Sequence, residues 1–176
     1  MKDKKTLNTE HLNKRIGMTL GGISLCGVSV GFLKLAAFGL DPFQSFMAGL
    51  TAMVPVPFGT LHILVSICLL MFMLAFDRHY IGLGTIFNLF LLGYIIDFST
   101  EYLQALFPAP SLMIRIMAFF VGICSICISS SFYFTADMGV SPYDAVALIL
   151  ANKWHVGEFR YVRVCTDLVC IGSGCL

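Results

Sequence analysis

A five-residue turn occurs twice in this sequence, and each copy follows a long apolar run. Residues 39–43 read Gly-Leu-Asp-Pro-Phe, and residues 139–143 read Gly-Val-Ser-Pro-Tyr. A further glycine and another apolar run follow both copies. Self-similarity of this kind indicates a protein that is built from two copies of one unit. The turn therefore predicts two matching interruptions in the fold.

The composition places the chain in a lipid bilayer. Of its 176 residues, 58% are hydrophobic and 12% are charged, and the mean hydropathy is +0.88. A water-soluble domain needs a more polar exterior than this. The net charge of +1 provides no basic field for a phosphate backbone, so we exclude nucleic acid as a partner.

We predict an all-α fold, a polytopic transmembrane helical bundle with five spans and two short half-helices. A spanning helix needs roughly 20 apolar residues. The runs of about that length are residues 15–38, 58–76, 80–98, 112–135 and 158–176. The half-helices are the shorter and more polar segments 42–53 and 142–153.

Each predicted half-helix begins with a proline, Pro42 or Pro142. The first helical position suits proline, because the N–H that proline lacks has no partner within the helix there. The preceding residue is Asp41 in one copy and Ser141 in the other. Either side chain is able to cap its helix by accepting a hydrogen bond from a free backbone N–H.

The distribution of lysine and arginine predicts a multi-pass protein of the cell (cytoplasmic) membrane with its N-terminus in the cytoplasm. The N-terminal segment 1–14 is basic, whereas the loop 99–111 has neither lysine nor arginine. Basic loops stay on the cytoplasmic side, so we predict that residues 99–111 form an external loop. Lys34 and Arg115 lie close to helix ends, where long side chains reach the headgroups.

The external loop divides the chain into two membrane repeats, residues 15–98 and 112–176. Three spans separate the two turns, and an odd number reverses the chain direction, so we predict inverted repeats of about three helices each. The second repeat ends before an equivalent of the third span. We therefore expect that the last helix is missing, in a truncated product or in a five-helix variant that a partner completes.

The chain resembles the YitT/YczE family of bacterial integral membrane proteins. The residues that carry the resemblance are 139–144, Gly-Val-Ser-Pro-Tyr-Asp, the spaced set Gly157, Arg160 and Arg163 with Asp167, and residues 82–85, Gly-Leu-Gly-Thr. The resemblance implies a polytopic cytoplasmic-membrane protein of about six helices, whose activity is largely unassigned. We expect the chain to depart from the family pattern in lacking the last helix, and it has Asp41 in place of a serine.

The two helix breaks are the candidate contacts for a small solute or ion. The free N–H groups at a helix start carry partial positive charge and favour an anion. Asp41 opposes an anion on its own side, which favours a cation or a zwitterion there. The alternative is that both turns only mark where a span ends. The candidate residues are Gly39, Asp41, Pro42, Gly139, Ser141, Pro142 and Asp144.

Arg163 and Asp167 form a candidate intramembrane polar pair, since residues four apart lie on one helix face. Mutual neutralisation competes with solute contact as their role, because ionisable groups at membrane depth need a partner or a cavity. His62 is interpreted as a packing histidine with satisfied hydrogen bonds rather than a proton relay. The other polar candidates within spans are Asn88, Asp97, Arg160 and the serines 129–131. Glycines 21, 22, 27 and 31 predict a close-packing first helix.

Several chemistries have no support in the sequence. The seven cysteines all lie within apolar runs, so we interpret them as packing residues and predict no metal site. A pairing of Cys124 with Cys127 for metal or redox chemistry is the weaker alternative. The sequence contains no catalytic triad order, zinc helix or phosphate-binding loop. We therefore expect no enzyme activity and no cofactor.

Two functions are compatible with the sequence. A small-solute or ion transporter is favoured by the duplicated break and the predicted inverted repeat. The alternative is a non-transporting scaffold or accessory protein that acts with a membrane partner or as a homo-oligomer through its glycine-rich first helix.

Overall fold

A computed structural model of the protein describes residues 12–77, 81–152 and 158–174. These residues form helices and no strand, which confirms the predicted all-α class. The helices are α1 (Leu12–Ala36), α2 (Pro42–Met53), α3 (Phe58–Phe76), α4 (Leu83–Leu106), α5 (Leu112–Ala136), α6 (Pro142–Asn152) and α7 (Phe159–Gly174). Both α2 and α3 have the predicted bounds. The predicted end of α6, Lys153, lies outside the described residues.

Four helices in the described ranges, α1, α3, α4 and α5, are long and apolar enough to cross a membrane. The fifth predicted span covers residues 158–176, and its described part forms the 16-residue helix α7. Three charged side chains, Arg160, Arg163 and Asp167, interrupt its apolar sequence.

The fourth helix is longer than predicted. We expected this span to end at Phe98, but α4 continues to Leu106. Its additional turns pack against α1, since the Ser99 hydroxyl donates to the carbonyl of Gly27 at 3.0 Å and Leu103 is buried against the end of α1. The connection to α5 is therefore shorter than the predicted loop.

The centre of the bundle is α1, which packs against α5 and α4 through its glycines. The backbone of α5 passes so close to Gly22 that a Cβ atom there would lie 3.2 Å from the carbonyl oxygen of Ser129. At Gly27, a Cβ atom would lie 2.5 Å from the side chain of Ile95 on α4. These contacts confirm a close-packing first helix, although Gly21 has no atom within 4 Å of a Cβ position.

The helices α1 and α5 are antiparallel, and an arginine of each caps the end of the other. The Nε of Arg115 donates to the carbonyl of Ala36 at 2.8 Å, and the Nε of Arg15 donates to the carbonyl of Ala136 at 2.7 Å. A second guanidinium nitrogen of each arginine contacts the carbonyl of the next residue. Arg115 thus binds a helix end of the protein rather than only reaching toward headgroups.

Large apolar side chains cover the outer surface of the bundle. On α4 and α5, the side chains of Phe90, Phe98, Met117 and Phe120 are all more than half exposed. An exposed apolar surface of this extent is unfavourable in water and suits a hydrocarbon environment.

Candidate functional site: a cavity between the two helix breaks

The two breaks repeat one backbone conformation. Left-handed residues follow the last helical turn, at Ala37 with φ of 54° and at Asp137 with φ of 48°. Two residues later the chain again has positive φ, at Gly39 with φ of 141° and at Gly139 with φ of 108°. Glycine is the residue that tolerates such angles at low energy, so the duplicated glycines have the same local cause.

The helices that follow the breaks converge in the middle of the bundle. Because α1 and α5 are antiparallel, the breaks begin at opposite ends of this pair. The rings of Phe43 on α2 and Tyr143 on α6 nevertheless stack with their centroids 4.9 Å apart. Residues 37–41 and 137–141 therefore each lead back from one end of the bundle toward its middle.

Side chains at the breaks cap α2 and α6, which confirms the predicted capping. The Oδ2 of Asp41 accepts from the backbone N–H of Gln44 at 3.4 Å. The Oγ of Ser141 accepts from the backbone N–H of Asp144 at 3.2 Å and donates to Oδ2 of the same residue at 2.8 Å.

A cavity of about 280 Å³ lies where the two breaks meet. Its wall includes the middle of α1, from Gly22 to Val30, together with parts of α2 to α7. The predicted site residues that line it are Asp41, Ser141, Pro142, Asp144 and Arg163. The residues Gly39, Pro42, Gly139 and Asp167 do not line it. The breaks thus bring two distant carboxylates, Asp41 and Asp144, to one cavity.

Arg163 connects α7 to α6 at the edge of this cavity. Its guanidinium forms a salt bridge with Asp144, and its Nε lies 3.4 Å from Oδ1 of Asp167. It also lies over the ring of Tyr143, with its carbon 4.6 Å from the ring centroid. The Tyr143 hydroxyl donates to Asp167 at 2.6 Å, so one guanidinium, two carboxylates and a phenol form a continuous network. A functional role for Arg163 and Asp167 stays a prediction.

Three buried polar side chains of the cavity wall lack protein partners in the described part of the chain. These are Oε1 of Gln44, both ring nitrogens of His62 and the hydroxyl of Tyr133. Their residues are 4%, 1% and 8% exposed, respectively. His62 packs between aromatic rings as predicted, with its ring centroid 5.8 Å from that of Phe43 and 6.2 Å from that of Phe58. Its predicted hydrogen bonds are not made by protein, since neither ring nitrogen has a protein partner among the described residues.

These three residues differ in how far the sequence alone could identify them. Gln44 lies three positions after Asp41 in a predicted half-helix, so a helical projection places both at the helix start. Tyr133 lies inside a long apolar run, where nothing local distinguishes a cavity residue from a lipid-facing one. Asn88, a predicted candidate, is 8% exposed and also lines the cavity.

The remaining polar candidates have other surroundings. Asp97 accepts from the backbone N–H of Gly59 at 2.6 Å and so supports the start of α3. The ammonium of Lys34 lies 3.7 Å from the ring centroid of Phe58 at the same place. Arg160 is exposed at the start of α7. These groups stabilise or flank helix ends away from the cavity.

The second break is held by the start of α4. The backbone N–H of Gly84 donates to the carbonyl of Met138 at 2.8 Å, and the hydroxyl of Thr85 donates to the carbonyl of Val140 at 2.8 Å. The first break differs, because no described atom lies within 4 Å of a Cβ position at Gly39. The two breaks therefore share a backbone conformation but not their packing.

Metal ligands do not cluster in the part of the chain that the structure describes, since no three His, Cys, Asp or Glu side chains are placed to hold an ion. Cys124 and Cys127 are both exposed on α5 and are free thiols.

The fold and its surface define an integral membrane protein of apolar helices. The chain belongs to the Family of unknown function (DUF6198), whose model matches residues 13–176. It is similar to the uncharacterized membrane protein YczE of Bacillus subtilis (strain 168), with 29% identity over 143 residues, 79% of this chain and 61% of that protein. The resemblance to the YitT/YczE group is thereby supported.

A second relative is an uncharacterized protein of Haemophilus influenzae (strain ATCC 51907 / DSM 11121 / KW20 / Rd). It is 23% identical over 159 residues, which are 90% of this chain and 71% of that protein. The chain thus spans about three fifths of one curated relative and about seven tenths of the other. No solved structure matches the chain.

Proposed function

We propose that this protein moves a small solute or ion across the membrane and binds it in the cavity between the two helix breaks. The observation that supports the proposal most is the convergence of Asp41 and Asp144 on one cavity beside the middle of α1. Transporters commonly bind their substrates near the midplane, between helix breaks of two related halves. The proposal includes no enzymatic step.

The antiparallel relation of α1 and α5 adds support. Arg15 and Arg115 make equivalent contacts at opposite ends of this pair, as two units of opposite orientation would require. Non-helical backbone at membrane depth is tolerated where it is buried in protein or lines a cavity. In our proposal, the break segments 37–41 and 137–141 are buried in protein or line the cavity. Two inverted repeats are the structural basis of the proposed transport.

The proposal also gives the chain an orientation in the cell membrane. The basic residues Lys14 and Arg15 at the start of α1 favour a cytoplasmic N-terminus. The cavity would then open to the cytoplasm in one state and to the outside in another.

Thiol accessibility tests this alternation without knowledge of the solute. Cys26 lines the cavity, whereas Cys124 is exposed on the outer surface of α5. In variants that keep one of these cysteines and carry alanine at the other positions, a membrane-impermeant thiol reagent is applied from either side of sealed vesicles. We expect Cys26 to react from both sides and Cys124 from neither. Labelling of Cys26 from neither side would contradict transport and favour a scaffold.

Flux into liposomes tests the activity itself. The probes are radiolabelled ethanolamine, choline, phosphate and sorbitol, which differ in charge and hydrogen-bonding groups. We expect flux of at least one probe, and we expect Asp41→Asn and Pro142→Ala to reduce it. Glu101→Gln is the control, because Glu101 is an exposed carboxylate of α4 that does not line the cavity. Protein that inserts but moves none of the probes above empty liposomes would contradict the proposal.

A further inference from the structure

The described wall of the cavity carries a surplus of negative charge. Its charged side chains are Asp41, Asp144 and Arg163, so two carboxylates face one guanidinium, which leaves a net charge of −1. That guanidinium is already shared between Asp144 and Asp167. Asp41 forms no salt bridge within the described residues. Asp41 is partly buried, and a carboxylate at membrane depth is unfavourable unless a positive group or water compensates it.

The unpartnered atoms of the wall include three hydrogen-bond acceptors. Buried polar atoms nearly always have partners, so three such side chains in one cavity require an explanation. The Oε1 of Gln44 accepts only, a neutral His62 ring presents one acceptor nitrogen and one N–H donor, and the hydroxyl of Tyr133 both donates and accepts. Together with Asp41, these groups suit a ligand that donates several hydrogen bonds.

The apolar part of the wall restricts the ligand further. Ile23, Val30, Leu92 and the ring of Phe43 line the same cavity. Its volume of about 280 Å³ is just below the range of ligand pockets, which run from roughly 300 to 1,000 Å³. A bare metal ion would leave these apolar groups without a partner, whereas a short carbon chain would contact them.

From these observations we infer that the cavity binds a small organic solute through a primary ammonium group. The ammonium carries one positive charge that balances Asp41, and it has three N–H donors for the carboxylate, for Oε1 of Gln44 and for a nitrogen of His62. A quaternary ammonium carries the same charge but no N–H donor. The inference rests on the proposed function, since it assigns a ligand class to the same cavity.

Calorimetric titration of the purified protein in lipid nanodiscs tests the inference with ethanolamine and choline, which differ in methylation of the nitrogen. We expect ethanolamine to bind about tenfold more tightly than choline, because choline leaves the acceptors unpaired. Asp41→Asn should weaken ethanolamine binding by about tenfold or more, since it removes the opposing charge. Glu101→Gln, which changes an exposed carboxylate, should have no effect.

A second variant keeps the test decisive if Asp41→Asn fails to fold. Gln44→Met preserves the side-chain length and the Asp41 cap but removes the Oε1 acceptor. We expect it to weaken ethanolamine binding and to leave choline binding unchanged. Equal binding of both amines, or ethanolamine binding that neither variant affects, would overturn the inference.

The flux assay separates this inference from the proposed function. Ethanolamine binding without flux of any probe would retain the ligand class and overturn transport. Flux of phosphate or sorbitol that is independent of Asp41 would retain transport and overturn the ligand class. Neither binding nor flux of any probe would overturn both.

Discussion

Arg15 and Arg115 make the same contact at opposite ends of the α1–α5 pair. Each arginine lies near the start of its own helix and donates from its guanidinium to carbonyl groups at the end of the other helix. The last carbonyl groups of a helix have no partner within the helix, and lipid supplies none. The two arginines therefore satisfy the backbone where each helix break begins.

Loss of one arginine cap should destabilise the protein. In Arg115→Gln, the carbonyl of Ala36 loses a charged donor, which we expect to lower the free energy of unfolding by about 1–3 kcal/mol. Thermal unfolding of the detergent-purified variant measures the effect. Arg160→Gln is the matched control, because Arg160 is exposed at the start of α7. Equal melting temperatures for both variants would argue against the cap.

The start of α4 tolerates no side chain at Gly82. A Cβ atom there would overlap the carbonyl oxygen of Met138 in the second break, and backbone cannot move aside as a flexible side chain does. We expect Gly82→Ala to cost about 1–3 kcal/mol in stability, as overpacking does. Gly21→Ala should be neutral or stabilising, because nothing lies within 4 Å of that Cβ position.

Melting curves of these two alanine variants provide the comparison, since both make the same chemical change. If Gly82→Ala melts at the wild-type temperature, α4 does not hold the second break in the way described.

A hydrogen bond across the α1–α5 contact gives a smaller effect. The hydroxyl of Ser129 is buried and donates to the carbonyl of Gly22 at 2.7 Å. We expect Ser129→Ala to lower stability by about 0.5–1.5 kcal/mol. Ser131→Ala, on the exposed side of the same helix, should change little. Denaturation of both variants in mixed micelles measures the difference, and a larger loss from Ser131→Ala would refute the assignment.

The helices and their breaks were predictable because their signals are local. The proline at residue 42 marked the start of α2, and the bounds of α2 and α3 followed from changes in polarity along the chain. The end of α4 was not predictable in this way. The sequence predicted Ser99 and Leu103 to lie in a loop. Their packing on α1 extends α4 through these residues.

The candidate site was predictable in part. The carboxylates were identified because each lies beside a proline that starts a helix. Asp41 precedes Pro42, and Asp144 follows Pro142 by two residues. The contributions of His62 and Tyr133 depend on how α3 and α5 pack around the breaks. A polar residue in an apolar run has the same local sequence whether it faces a cavity or another helix. The lack of protein partners for His62 therefore could not be predicted from the sequence.

Removing only one charge of the salt bridge between Arg163 and Asp144 should lower the free energy of unfolding more than removing both charges. Arg163→Leu leaves Asp144 beside the cavity without its guanidinium, and we expect a loss of about 2 kcal/mol, below the range for fully buried pairs because the two side chains are 32% and 22% exposed. The double variant with Arg163→Leu and Asp144→Asn removes both charges of this salt bridge, so part of the lost stability should return. Thermal unfolding of the two single variants and the double variant forms a mutant cycle. Strictly additive losses would mean that the two charges do not interact, and α7 would then be attached to α6 by other contacts.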